Sequence, residues 1–111
     1  MERLTELTSL EMVETFIQDH SLSFLYVSRT NCGVCHALLP QVKEVLMQYP
    51  RIQFGFINAD HLEEIAGYLS VFTVPALIFY IEGKEYFREA RFVQIESLNE
   101  KIQKMYRLTN S

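Results

Sequence analysis

The chain of 111 residues has the size of one domain, because domains usually span about 100–150 residues. Hydrophobic residues make up 49% and charged residues 22%, which excludes a globally disordered or collagen-like chain. The formal net charge of −4 argues against a nucleic-acid partner or an anionic membrane, since both require a basic patch. We therefore predict a single domain over residues 1–111.

The expected cellular location decides how the two cysteines of the chain are interpreted. The first residues lack the basic and apolar regions of a signal peptide, and no apolar run reaches the ~18–20 residues of a transmembrane helix. We therefore expect a cytoplasmic location without a membrane, where thiols are kept reduced. Cys32 and Cys35 are too close in sequence to link distant parts of a fold. The pair therefore indicates redox chemistry or metal binding.

Apolar periodicity predicts three elements before the cysteines. Residues 3–7 are compatible with a short edge strand, and residues 9–19 with a helix. Thr8 and Glu11 have the spacing of a capping box, which places Thr8 at the N-cap. Residues 22–28 are almost all apolar, which is typical of a strand buried on both faces.

The cysteine pair lies at the predicted start of a second helix. This helix begins around Cys32–Gly33, is kinked at Pro40 and ends at Pro50. An apolar stripe at helical spacing consists of Leu38, Val42, Val45, Leu46 and Tyr49. Residues 52–58 follow as a second apolar strand.

The last part of the chain predicts a short helix, a β-hairpin and a longer helix. Asp60 is expected to cap the short helix. Strands over 76–81 and 85–90 flank a tight turn at 82–84. An amphipathic helix is predicted for residues 94–108.

The predicted order is β-α-β-α-β-α-β-β-α. Alternation in the first part implies parallel strands joined by helical crossovers, and the hairpin adds an antiparallel strand at one edge. We therefore predict an α/β fold with a central mixed β-sheet of four to five strands, flanked by about four helices on both faces.

Two motifs carry a resemblance to a known family. The segment Asn31-Cys32-Gly33-Val34-Cys35 lies between a buried strand and a proline-containing helix, and Thr73-Val74-Pro75 directly precedes the hairpin. With the element order, these motifs resemble the thioredoxin family over about residues 8–108. The resemblance implies the thioredoxin fold and a protein-disulfide oxidoreductase activity.

The physical chemistry of the motif agrees with this resemblance. The nucleophile in thiol–disulfide exchange is a thiolate, and a helix N-terminus favours it with free N–H groups and a positive dipole end. We expect Cys32 to attack from that position and Cys35, one turn later, to face inward and resolve the mixed disulfide. Gly33 has no side chain, so the backbone of a partner can approach the sulfur.

Further properties are implied by the resemblance alone. The Val74–Pro75 peptide is expected to be cis, with the Val74 backbone pairing with an extended substrate segment. Gly33 and Val34 complete the expected substrate-binding residues. The expected partners are protein disulfides and an electron donor of the thioredoxin-reductase type. No cofactor and no metal are expected, and the protein is expected to be a monomer.

Several positions depart from the family pattern. Asn31 and Val34 replace a usual Trp and Pro around the cysteines, and the chain contains no Trp. The buried Asp of the family corresponds to Tyr26, and its Lys partner to Phe56. We expect Tyr26 and Phe56 to be core residues. What deprotonates the second cysteine is left open between water and His36.

Four alternatives to the oxidoreductase remain at this level. The cysteines are buried inert thiols in the first. In the second they bind zinc with His36 and His61. The third takes Cys32-Gly33-Val34-Cys35-His36 as a haem-attachment string, although covalent haem requires an export route that the sequence does not indicate. In the fourth the fold is a redox-inactive protein-binding module.

Overall fold

A computed structural model describes residues 4–109 as a five-stranded sheet with four helices. The elements in chain order are β1 (Leu4–Glu6), α1 (Leu10–Asp19), β2 (Leu22–Ser28), α2 (Gly33–Leu46), β3 (Gln53–Asn58), α3 (Ile65–Leu69), β4 (Ala76–Ile81), β5 (Lys84–Ala90) and α4 (Ile95–Leu108). This confirms the predicted mixed sheet with four helices, although α2 ends at Leu46 and not at Pro50 as predicted. Among the helices of residues 4–109, none is long and apolar enough to cross a bilayer.

The sheet order β1-β3-β2-β4-β5 places β2 at the centre. β1, β3 and β2 are mutually parallel, whereas β4 runs antiparallel to β2 and β5 antiparallel to β4. The carboxyl ends of β2 and β3 therefore meet the start of β4 at one edge. The loop after β2 leaves that edge and leads to Cys32 at the N-cap of α2, with Cys35 in the first turn of this helix.

The core consists of one hydrophobic layer on each face of the sheet. Val27 of β2 faces one layer and Tyr26 the other, because successive side chains of a strand point to opposite faces. The α1/α3 layer contains Leu7, Val13, Phe16, Ile17, Leu25, Val27, Ile57, Ile65, Leu69 and Ile78, among others. The α2/α4 layer contains Phe24, Tyr26, Cys35, Leu38, Val42, Leu46, Tyr49, Phe54, Phe79, Leu98 and Ile102, among others.

Two predicted helix caps are wrong. Ser9, not Thr8, is the N-cap of α1, and its hydroxyl accepts the Met12 amide hydrogen at 3.1 Å. The Thr8 hydroxyl instead contacts the Met12 sulfur. α3 begins only at Ile65 and has no side-chain cap, because the Asp60 carboxylate binds the loop before α2, as described below.

The predicted hairpin is confirmed, with a tighter turn than expected. Glu82 and Gly83 both have positive φ, at 52° and 80°, as a two-residue type I′ turn requires. Lys84 therefore already pairs with Ile81, and β5 starts one residue earlier than predicted.

Arg88 of β5 connects the hairpin to the end of α3. Its guanidinium donates to the carbonyl oxygens of Leu69 and Ser70 at 3.0 and 3.1 Å, and it pairs with Glu85 at 2.7 Å. Ser70 has a left-handed backbone with φ of 55°. The guanidinium thus satisfies carbonyl groups at the helix end, from which the chain continues to the Val74–Pro75 peptide.

Candidate redox site

Cys32 and Cys35 form a disulfide at the start of α2. Cys32 is the N-cap residue, and its sulfur accepts the backbone N–H of Cys35 at 3.2 Å. Cys32 is half-buried, whereas Cys35 is fully buried in the α2/α4 layer. The predicted positions are therefore confirmed: one sulfur atom lies at the helix terminus and the other faces inward.

The buried side of the disulfide is bound to the sheet through Tyr26. The Tyr26 hydroxyl donates to the Cys35 carbonyl oxygen at 2.6 Å. The next N–H in the chain, that of His36, donates to the Cys32 carbonyl at 3.1 Å. Hydrogen bonds in such a chain polarise one another, and this chain runs from the central strand through the Cys35–His36 peptide to Cys32.

The aromatic surroundings of Tyr26 keep its hydroxyl protonated. The ring lies edge-on to Phe54 and stacks on Phe56, with centroid distances of 6.4 and 6.1 Å. Burial raises the pKa of Tyr26 well above its ordinary value, because the phenolate would lose its hydration. Tyr26 is a core residue as predicted, and Phe56 is partly buried against the same layer. The hydrogen bond to Cys35 was not predicted, since sequence spacing carries no signal for it.

Polar contacts to Thr30 hold the segment that leads into Cys32. Asp60 accepts the Thr30 backbone N–H at 2.8 Å and the Arg29 guanidinium at 2.6 Å. The Asn58 amide donates to the Thr30 hydroxyl at 3.1 Å. The Thr30 N–H and then Arg29 lower the pKa of Asp60, because both stabilise the carboxylate. These contacts fix the Arg29–Asn31 segment that leads into Cys32.

His36 also contacts this segment. Its Nε2 atom lies 2.8 Å from the Thr30 carbonyl oxygen, to which it donates. The structure thus places the imidazole against a carbonyl group and describes no hydrogen bond between this ring and a cysteine sulfur. His36 is therefore not in position to accept a proton from Cys35 in this structure.

The Val74–Pro75 peptide is cis, as predicted. Pro75 is buried, and Val74 is half-buried and packs against both layers of the core. Ala76 pairs with Val27 near the end of β2, so this loop and the cysteine loop leave the same edge of the sheet.

The surface beside the disulfide is apolar. Val34, between the cysteines, is 61% exposed, and Gly33 has open space where a side chain would project. A groove of about 420 Å³ runs from Val34 and Leu38 to the Arg91–Gln94 segment, where Phe92 is 86% exposed. Sequence analysis did not predict this groove, because it forms only where the segment after β5 packs beside α2.

The geometry offers little support for a metal site. Within residues 4–109, no group of three or more His, Cys, Asp or Glu side chains is placed to hold a metal ion. Both cysteine sulfurs are bonded to each other.

Comparison with known proteins agrees with the fold and the disulfide, which together define a thiol–disulfide oxidoreductase at the general level. The family model described as Thioredoxin matches residues 5–104. The thioredoxin-like protein YdfQ of Bacillus subtilis is 53% identical over 108 residues, covering 97% of this chain and 96% of its own. The chain therefore belongs to the thioredoxin family.

Solved structures confirm the fold. Thioredoxin from Trypanosoma brucei brucei superposes with a TM-score of 0.85 at 18% identity, covering 94% of this chain and 91% of its own. Thioredoxin from Fasciola hepatica has a TM-score of 0.81 at 25% identity, with coverage of 90% and 97%.

Proposed function

We propose that the protein reduces disulfides of other proteins, with Cys32 as the nucleophile and Cys35 as the resolving cysteine. The observation that carries the proposal is the difference between the two sulfur environments. Cys32 is half-buried at the N-cap and receives an N–H, whereas Cys35 is fully buried. A helix N-terminus lowers the pKa of a thiol, and burial in apolar surroundings raises it, so Cys32 is the better nucleophile at neutral pH.

The reaction has two exchange steps. The Cys32 thiolate attacks one sulfur of the substrate disulfide; a mixed disulfide forms, and the other substrate sulfur leaves as a thiolate that takes up a proton. Cys35 then loses its proton and attacks the Cys32 sulfur, which releases the second substrate sulfur. Two electrons pass to the substrate, and the chain is left with the Cys32–Cys35 disulfide.

The substrate is proposed to lie across the edge where the two loops meet. Gly33 gives its backbone access to the sulfur, and the Val74 backbone before Pro75 provides pairing groups for an extended segment. The exposed Val34 side chain offers an apolar contact next to the disulfide. Because these are mostly backbone and apolar contacts, they suit many protein substrates.

The catalytic cycle closes when the disulfide is reduced again. A protein donor of the thioredoxin-reductase type, or a small thiol, is proposed to supply the two electrons. We propose that the exchange uses neither a bound cofactor nor a metal, because the two thiols perform all of it. We also propose that the protein is a cytoplasmic monomer.

The proposal is tested by dithiothreitol-driven reduction of insulin. We expect the wild-type protein to accelerate insulin precipitation, and Cys32→Ser to reduce the rate to background. Cys35→Ser is expected to trap a mixed disulfide with a substrate protein, visible on a non-reducing gel and removed by dithiothreitol. A wild-type rate equal to that of Cys32→Ser would favour a redox-inactive binding module instead.

A further inference from the structure

We infer that Tyr26 is a positioning residue that sets the reactivity of the Cys32 thiol through the Cys35–His36 peptide. The inference rests on the proposed function, since it concerns the same cysteine pair. It starts from a buried hydroxyl group whose hydrogen-bonding partner is the backbone of a cysteine in the disulfide.

The hydroxyl is held rigidly. Tyr26 lies on the central strand β2, is 0% exposed, and its ring is enclosed by Phe54 and Phe56. A side chain so confined has few rotamers, so its hydroxyl is delivered to one point. That point is the carbonyl oxygen of Cys35, 2.6 Å away.

The Cys35–His36 peptide group connects the Tyr26 hydroxyl to the nucleophile Cys32. Its carbonyl accepts from Tyr26, and its own N–H, on His36, donates to the Cys32 carbonyl. The Cys35 N–H donates to the Cys32 sulfur at 3.2 Å. The contact to the peptide therefore fixes the first turn of α2, which directs the N–H at the sulfur. A preorganised N–H stabilises a thiolate better than one that must be ordered first.

The chain offers a matched control at the other end of the same helix. The Tyr49 hydroxyl donates to Asn99 Oδ1, also at 2.6 Å, and Tyr49 belongs to the same α2/α4 layer. Tyr49 lies beyond the carboxyl end of α2, whereas the disulfide lies at its start. Tyr26→Phe and Tyr49→Phe thus remove the same atom from hydrogen bonds of the same length, and only the first bond reaches the cysteines.

The test measures Cys32 reactivity in wild type and in both variants. We expect Tyr26→Phe to raise the midpoint of the pH profile for alkylation of Cys32 and to lower its alkylation rate at neutral pH on the order of fivefold. We also expect the equilibrium constant for reduction by dithiothreitol to fall by a similar factor, because the reduced form loses thiolate stabilisation. Tyr49→Phe is expected to match wild type in both measurements.

The outcomes separate the inference from the proposed function. If Tyr26→Phe and Tyr49→Phe both retain the wild-type pH profile and equilibrium constant, Tyr26 is only a core residue and the inference is wrong. Equal shifts in both variants also overturn it, because they would reflect a general loosening of the layer. If wild-type Cys32 itself does not reduce insulin, the proposed function fails, whatever Tyr26 does.

Discussion

The two hydrophobic layers of the sheet differ in what they bury. The α1/α3 layer contains neither cysteine, and its side chains crowd against Gly55 of β3. The α2/α4 layer buries Cys35 and the hydroxyl-bearing Tyr26 and Tyr49, each with a hydrogen-bond partner. Both layers stabilise the same sheet, but it is the second that packs directly against the disulfide through Cys35.

We expect the greatest loss of stability when the Tyr26 side chain is removed from the α2/α4 layer. Tyr26→Ala removes a fully buried ring and its hydrogen bond, and we expect it to lower the free energy of unfolding by about 3–5 kcal/mol. Urea denaturation of the oxidised protein measures this change. Leu25→Ala, on the next residue and facing the α1/α3 layer, is expected to cost about 2–5 kcal/mol.

Redox measurements on Tyr26→Ala and Leu25→Ala test whether the two layers differ in their effect on the disulfide. We expect only Tyr26→Ala to alter the equilibrium with dithiothreitol under conditions where both variants are folded. A shift of equal size in Leu25→Ala would show that the layers are not distinct in this respect.

A smaller effect is expected from overfilling the first layer. The Cβ atom of Gly55→Ala meets Leu7 and Leu25 side-chain carbons at 2.8 and 3.0 Å, and Phe16 at 3.1 Å. We expect a loss of about 1–3 kcal/mol in the free energy of unfolding, with unchanged cysteine reactivity. The control Gly67→Ala, in α3 with open space around it, is expected to gain up to about 1 kcal/mol. A stable Gly55→Ala would mean that the layer yields without strain.

The smallest effect concerns the exposed contacts around Thr30. The folded-state pKa of Asp60 lies below the unfolded value of about 3.9, because the carboxylate binds the Thr30 N–H and Arg29. Its contribution to stability is therefore present above the unfolded pKa and is lost as the pH falls through the folded pKa. We expect the stability difference between wild type and Asp60→Asn to shrink between about pH 5 and 2.

Urea midpoints at several pH values provide this measurement. Glu63→Gln, at an exposed acid in the same connecting segment, is the control and is expected to leave the urea midpoint close to that of wild type. A difference for Asp60→Asn that stays constant with pH would be inconsistent with an ionised carboxylate at Thr30.

Much of the fold was predictable because its elements have strong local patterns. The bounds of β2 follow from a continuous apolar run, and α4 from a clear amphipathic period. The caps were less predictable, since Thr8 and Ser9 are both good N-cap residues and only the backbone geometry selects one. Asp60 was misassigned because a partner distant in sequence, Thr30, competed with the local helix for its carboxylate.

The candidate site, like the fold, could be predicted from the sequence only in part. Cys32, Cys35 and the cis peptide before Pro75 were identified from motifs of adjacent residues. The Tyr26 hydrogen bond depends on how β2 and α2 pack together, and the groove at Phe92 on how the loop after β5 returns to α2. Contacts of this kind are set by tertiary structure, so no spacing in the sequence indicates them.

Different groups hold the two segments beside the disulfide: Arg88 holds the end of α3 before Pro75, and Asp60 holds the segment before Cys32. The guanidinium that holds the end of α3 stays charged at any pH at which the protein is folded, so its bonds to Leu69 and Ser70 persist. The carboxylate of Asp60 on the other flank is neutralised at low pH and then binds Arg29 and the Thr30 N–H more weakly. We therefore expect acid to weaken the contacts that hold the approach to Cys32, whereas the Arg88 contacts to the Leu69 and Ser70 carbonyl groups, which do not titrate, remain.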